Sequence, residues 1–257
     1  MDQCEQPLTG LQAVVTGAAG GIGSAIVRRL IDQGATVHGL DRDQNIEALV
    51  RELASSGRFG AHVVDLAHRA ATDQALAHLT ERLAGRCDIL VNNAGISRLR
   101  PFAQSDDELL ESLLAVNLTA AFRITRALLP ALLSSGRASV VNIASELALI
   151  GQPGYTAYCA SKGAVLAWSR ALAVELAPIG IRVNAVCPGP IDTAMLNAEF
   201  EALGDRARAR ADEVATIPLG RLGAPRDVAA VVAFLASDAA GFVSGAAWSV
   251  DGGKTAR

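Results

Sequence analysis

LQAVVTGAAGGIGSAIVRRLIDQG, residues 11–34, decides the fold. Its first five residues are apolar-rich and short, as a buried strand is. A glycine-rich turn, TGAAGGIG (16–23), follows directly, and from Ile22 apolar residues recur at helical spacing until Gly34. Glycine permits a tight turn and close approach of the backbone to a ligand. The helix start behind it offers unpaired N–H groups and a partial positive charge, which suit a pyrophosphate. A glycine-rich turn alone is often only a turn. Between a first strand and a first helix it points to a dinucleotide site, with Gly17, Gly20, Gly21, Ile22 and Gly23 as the cradle.

Outward from this unit the chain alternates in the same way. Strands are expected at ATVHGLD (35–41), AHVVD (61–65), CDILVNN (87–93), ASVVNIAS (138–145) and IRVNAVCPG (181–189), with a last one in AAWSVDGG (246–253). Helices are expected over 43–56, 69–84, 106–134, 155–177, 194–214 and 225–237. Strands alternating with helices of this length require right-handed crossovers. The result is an α/β fold with a doubly wound parallel sheet and helices on both faces. No linker, composition shift or internal repeat divides the 257 residues, so one domain is expected.

Composition narrows the function. Hydrophobic residues make up 51% and charged residues 19%, enough for a sizeable core. The net charge of −3 and the lack of a basic stripe argue against nucleic acid as a partner. No basic and apolar leader opens the chain. Charged residues and glycines break the apolar runs before the roughly 18 residues a membrane span needs. Cys4, Cys87, Cys159 and Cys187 lie far apart with no CxxC spacing. Unpaired thiols and a cytoplasmic protein are the expectation. His38, His62, His68 and His78 fall near no motif, and no metal site is expected.

The second strand should end at Asp41, 18 residues beyond Gly23. A carboxylate there accepts from both adenosine ribose hydroxyls and repels a 2′-phosphate. Two charges near 4 Å apart cost about 4 kcal/mol at an effective dielectric of 20. NAD is therefore expected over NADP, although Arg42 follows Asp41 directly. The alternative is an ordinary polar turn. Farther along, Tyr158 and Lys162 share one helix face, and Ser145 closes a strand thirteen residues before Tyr158. A phenol of pKa about 10 needs about three units of depression to act as a base near neutrality. A neighbouring ammonium and a cationic nicotinamide supply that sign.

Taken together these motifs resemble the short-chain dehydrogenase/reductase family, in its compact Rossmann-type form, almost from end to end. TGAAGGIG (16–23) is similar to the family's glycine turn, NNAG (92–95) to its fourth-strand motif, and VDGG (250–253) to its closing segment. Asn117, Ser145, Tyr158 and Lys162 match its catalytic tetrad in order and spacing. The resemblance implies that Tyr158 is the general acid/base, that Ser145 holds the reacting oxygen, and that Lys162 holds the nicotinamide ribose. Asn117 would position a relay water. Asp65 and Leu66 would border the adenine, and Asn93, Ala94 and Gly95 the ribose region. Pro188, Gly189, Ile191 and Thr193 would orient the carboxamide. It also implies a homotetramer.

The substrate is expected to be a secondary alcohol or its ketone, bordered by Ser97, Glu146, Gln152 and Tyr155. Glu146 either reads substrate hydroxyls or is a solvated loop residue. Arg98 and Arg100 either meet a carboxylate or face water. Leu147, Leu149, Ile150 and Leu196 favour a partly apolar substrate over a free sugar. Residues 194–214 resemble the family's lid over the substrate. Two alternatives stand beside this reading. One is an NADP-dependent 3-oxoacyl-type ketoreductase, and the other a non-catalytic NAD-sensing protein.

Overall fold

Strands buried on both faces need cover on both, and the chain supplies it by crossing over after almost every strand. The structure, a computed structural model, describes residues 6–256. Cys4 and the chain's extreme N-terminus lie outside the described residues. The elements run β1 (Gln12–Thr16), α1 (Gly21–Asp32), β2 (Thr36–Asp41), α2 (Ile46–Leu53), β3 (Phe59–Val63), α3 (Arg69–Arg82) and β4 (Ile89–Asn92). They continue α4 (Asp107–Leu114), α5 (Ala120–Leu133), β5 (Ser139–Ile143), α6 (Thr156–Leu176) and β6 (Arg182–Pro188). Last come α7 (Ala194–Ala202), α8 (Arg206–Ala215), α9 (Pro225–Ala236) and β7 (Ala247–Val250).

The seven strands form one parallel sheet in the order β3-β2-β1-β4-β5-β6-β7. On one face Ile26, Leu30, Val228 and Val232 of α1 and α9 pack on the sheet. On the other, Leu76, Ile124, Leu128 and Ala173 of α3, α5 and α6 do the same. The expected doubly wound α/β sheet is present. Asn92 and Asn142 are buried beneath it. Asn92 Nδ2 donates to Thr125 Oγ1 at 3.0 Å and to Asn142 Oδ1 at 2.8 Å, and Asn142 Nδ2 donates to Ser169 Oγ at 2.9 Å. These bonds tie β4 and β5 to α5 and α6.

Three elements differ from expectation. β3 starts at Phe59, paired with Val37, so Asp65 stands in the loop beyond it. The helix expected over 106–134 carries one turn of π-helix at Ala115–Thr119, which contains Asn117. The helix expected over 194–214 is two, because Gly204 adopts φ +90° and Asp205 caps α8 through Arg208 N–H at 3.0 Å. The stretch Asp107–Leu133, 27 residues, is also long and apolar enough to cross a membrane by length and composition alone. Its apolar runs are nonetheless broken by charged residues, among them Glu111, Arg123 and Arg126. Here Ile124, Leu128, Ala131 and Leu132 spend their apolar surface on the core.

Three histidines line up across β2, β3 and α3, with ring centroids 6.1 Å apart for His38–His62 and 5.8 Å for His62–His78. Burial, with His62 and Arg82 nearby, lowers the His38 pKa to about 4. The folded state thus prefers neutral His38, while the unfolded chain binds a proton near its ordinary value of 6.5. Stability is full above that value and falls as the pH drops toward the folded pKa. Between pH 7 and pH 5 the loss should be about 2 kcal/mol. Urea unfolding at both pH values should show it in the wild type and show it reduced in His38→Leu. Equal losses in the two proteins would remove His38 as the cause.

Candidate active site

In an open parallel sheet, ligands bind beyond the strand C-termini where the winding reverses. That point is the gap between β1 and β4. A cavity of about 1000 Å³ opens there and runs on past β5 and β6 to α7 and α8.

One half of the cavity is built from the glycine turn. Gly17 sits at φ +65°, and a Cβ there would lie 2.9 Å from the Ala94 Cα. A Cβ on Gly23 would overlap the Gly17 carbonyl, so α1 begins against the turn only because both are glycine. No side chain caps α1. Its first N–H groups therefore border the cavity without an intrahelical acceptor, as an anion site requires. Asn93 lines the cavity and also holds the turn together. Its Nδ2 donates to the carbonyls of Thr16 at 2.9 Å and Gly17 at 3.0 Å and so braces the turn. Ala94, Gly95, Asp65 and Leu66 line the cavity as expected, as do Gly17, Gly20, Gly21, Ile22 and Gly23.

Asp41 ends β2 with both oxygens held. Oδ2 accepts from Ala19 N–H at 2.8 Å and Oδ1 from Asp43 N–H at 2.9 Å. The carboxylate is thereby fixed at the cavity wall, beside the exposed Arg42 and Asp43. Pro188, Gly189, Ile191 and Thr193 line the middle of the cavity. Thr193 also caps α7, accepting from Leu196 N–H at 3.4 Å.

The four residues of the tetrad converge where the two halves meet. Tyr158 and Ser145 line the cavity together, and Ser145 Oγ accepts from Leu147 N–H at 3.1 Å. Burial raises the Tyr158 pKa above its ordinary value, and the nearby Ser145 hydroxyl opposes that rise. Lys162 Nζ lies 5.9 Å from the Tyr158 ring centroid and donates to the Ile143 carbonyl at 2.8 Å. Burial pulls the Lys162 pKa down to about 8. Asn117 Oδ1 accepts from Ile96 N–H at 2.8 Å, and its Nδ2 donates to Ile96 O at 3.0 Å and Ser161 Oγ at 2.9 Å. A Cβ on Gly95 would lie 3.2 Å from Lys162 Nζ and 3.4 Å from Asn117 Oδ1. The turn after β4 thus passes close to both.

Beyond Tyr158 lies the second half. Ser97, Glu146, Gln152 and Tyr155 all line it. Glu146 is not a solvated loop residue: its side chain is 5% exposed and its Oε1 accepts from Lys254 Nζ at 2.9 Å. Lys254 also donates to Glu213 of α8 at 2.6 Å. Tyr155 Oη donates to Glu199 Oε2 of α7 at 2.8 Å. Leu147 and Leu196 border the cavity, but Leu149 and Ile150 do not. Arg98 turns back to the Ser97 carbonyl at 2.8 Å and Arg100 to Asp106 at 3.3 Å, and neither lines the cavity.

Sequence reading missed Glu199, Glu213 and Lys254. One signal was available. The chain has only two lysines, Lys162 and Lys254, and two tyrosines, Tyr155 and Tyr158, and all four stand here.

A family profile described as Enoyl-(Acyl carrier protein) reductase matches residues 17–255. The chain is a short-chain dehydrogenase/reductase. Among its relatives is the 3-oxoacyl-(acyl-carrier-protein) reductase FabG of Thermotoga maritima, 38% identical over 96% of this chain and 98% of the relative. The 2-(S)-hydroxypropyl-CoM dehydrogenase 3 of Xanthobacter autotrophicus is 36% identical over 94% and 95%. A solved chain from Beutenbergia cavernae, provisionally assigned as an NAD(P)-dependent gluconate 5-dehydrogenase with NADP bound at low occupancy, superposes with TM-score 0.89. It is 40% identical and covers 98% of this chain and 100% of its own length.

Proposed function

We propose that this short-chain dehydrogenase/reductase oxidises a secondary alcohol, or reduces its ketone, with NAD. One observation carries the reading. Ser145, Tyr158 and Lys162, with Lys162 Nζ 5.9 Å from the Tyr158 ring centroid, stand in the same cavity as an uncapped helix start and a carboxylate at the end of β2. The α1 N-terminus fits the pyrophosphate, Asp41 the adenosine ribose, Lys162 the nicotinamide ribose and Thr193 the carboxamide. Held by these residues, the nicotinamide would supply hydride transfer to or from the substrate carbon. Tyr158 exchanges the proton with the substrate oxygen, and Ser145 donates a hydrogen bond to that oxygen as it gains charge. Asn117, fixed by Ile96 and Ser161, helps hold the water that returns protons to Lys162.

The chain works as one dehydrogenase domain, with α7 and α8 as the lid over the substrate. It is cytoplasmic, in keeping with the three described cysteines, all unpaired. It assembles as a homotetramer through α5 and α6. That face carries Phe122 against Trp168, ring centroids 6.1 Å apart, and Val174 at 79% exposure.

The test is reduced-cofactor formation with NAD and NADP in parallel, across polyols, cyclic diols, hydroxy acids and hydroxysteroids. Turnover with NAD on one class is expected. Turnover with NADP alone would favour the 3-oxoacyl-type ketoreductase, a second reading supported by the exposed Arg42 at the cavity wall. Cofactor binding without turnover on any class or in either direction would favour the sensing protein.

A further inference from the structure

The substrate half of the cavity is acidic. Glu146, Glu199, Asp205, Asp212 and Glu213 line it, against Arg208 and Lys254 as cations. Most of these charges are already committed to one another. Lys254 bridges Glu146 and Glu213, Arg208 lies 3.7 Å from Asp212, and Asp205 caps α8. Two acceptors remain. Glu146 Oε2 and Glu199 Oε1 are both shielded from solvent and lack any hydrogen-bond partner, while the other oxygen of each carboxylate is held by Lys254 and by Tyr155.

These two carboxylates belong to the reacting centre. Glu146 directly follows Ser145, and Glu199 bonds Tyr155, whose ring lies 6.2 Å from that of Tyr158. Both act electrostatically on the Tyr158 phenol. A buried acceptor without a donor is costly, and a ligand that brings the donor recovers the lost bond. A ligand that brings another anion meets two carboxylates, and the two cations of this half, Lys254 and Arg208, are already paired with Glu146, Glu213 and Asp212.

We propose that Glu146 and Glu199 are specificity-determining acceptors that select neutral alcohols with a second hydroxyl next to the reacting carbon and reject their carboxylate counterparts. The proposal rests on the dehydrogenase reading of the site and narrows its substrate to neutral vicinal diols and polyols. Leu99, Val116 and Leu147 supply an apolar wall for the remaining carbon frame.

Three probes share one ring and one carbinol: cyclohexanol, cis-1,2-cyclohexanediol and 2-hydroxycyclohexanecarboxylate. Their affinities for the enzyme saturated with reduced nicotinamide cofactor are read by calorimetry, which needs no turnover. The diol should bind at least ten-fold tighter than either of the others. Glu199→Gln, on the half-exposed α7, should narrow the gap between diol and hydroxy acid at least five-fold. Glu146→Gln should act in the same direction, but it leaves Lys254 with one partner fewer, so Glu199→Gln is the deciding variant. Equal binding of diol and hydroxy acid, a diol no better than cyclohexanol, no binding of any probe, or an unchanged gap in Glu199→Gln would each overturn the proposal. If the diol binds as expected but no alcohol is turned over with NAD or NADP, the selectivity stands and the dehydrogenase reading fails.

Discussion

Tyr158→Phe is expected to lower kcat by about three orders of magnitude and leave cofactor affinity within about two-fold, since a positioned general acid/base contributes roughly 10²–10⁴. The variant keeps the ring, so its packing and its 6.2 Å contact with Tyr155 survive. What disappears is the phenolic oxygen that faces the cavity beside Ser145. The Ser145 hydroxyl can still polarise a substrate carbonyl, but Lys162, 5.9 Å from the ring centroid, is too far to replace the phenol. The direction of the Tyr158 shift adds a pH dependence. Burial raises its pKa, so at neutral pH it is a proton donor, suited to ketone reduction. Oxidation needs the phenolate and should quicken as the pH rises. Lys162, with a pKa near 8, loses its charge in the same alkaline range and limits that gain. Steady-state kinetics in both directions, with cofactor binding measured separately, checks each part. Turnover within ten-fold of wild type would remove Tyr158 as the proton carrier.

Much of this was readable from residue order. The sheet was legible because the central strands β1, β4, β5 and β6 are rich in Val, Ile and Leu, and the glycine turn was legible because its geometry tolerates nothing larger. Gly23, whose Cβ would meet the Gly17 carbonyl, shows why such a motif carries a fold. Local irregularities were hidden. The π-turn at Asn117 changes no hydrophobic period, and β3 begins two residues early because its register is set by pairing with β2. Most obscure were the long-range charges. Glu146 and Lys254 are 108 residues apart and meet only when β7 lies beside β6. Sequence spacing has no way to express that. The split of 194–214 was written in Gly204 and Asp205, a helix stop followed by a cap, but helix-forming, Ala-rich sequence on both sides masked it.

Asp41→Asn should shift the preference between NAD and NADP by 10- to 1000-fold toward NADP. The upper bound is the repulsion of about 4 kcal/mol between charges 4 Å apart at an effective dielectric of 20, and solvent screening lowers it. Asparagine is the informative replacement. Its single carbonyl oxygen can still accept from Ala19 N–H, the 2.8 Å bond that ties β2 to the glycine turn, so the turn keeps its shape while the charge is removed. Alanine would remove the charge and the tie together and confuse specificity with damage to the cradle. Asp43 also lines the cavity and keeps part of the negative potential, so the double change of Asp41 and Asp43 to Asn should move the ratio further. Arg42→Ala should move it the opposite way, because the exposed guanidinium is the one cation at that end of the cavity. Ratios of kcat/KM for the two cofactors, measured on one substrate, decide the matter. If Asp41→Asn leaves the ratio unchanged while Arg42→Ala collapses activity with NADP, Arg42 governs the choice and the cofactor is NADP.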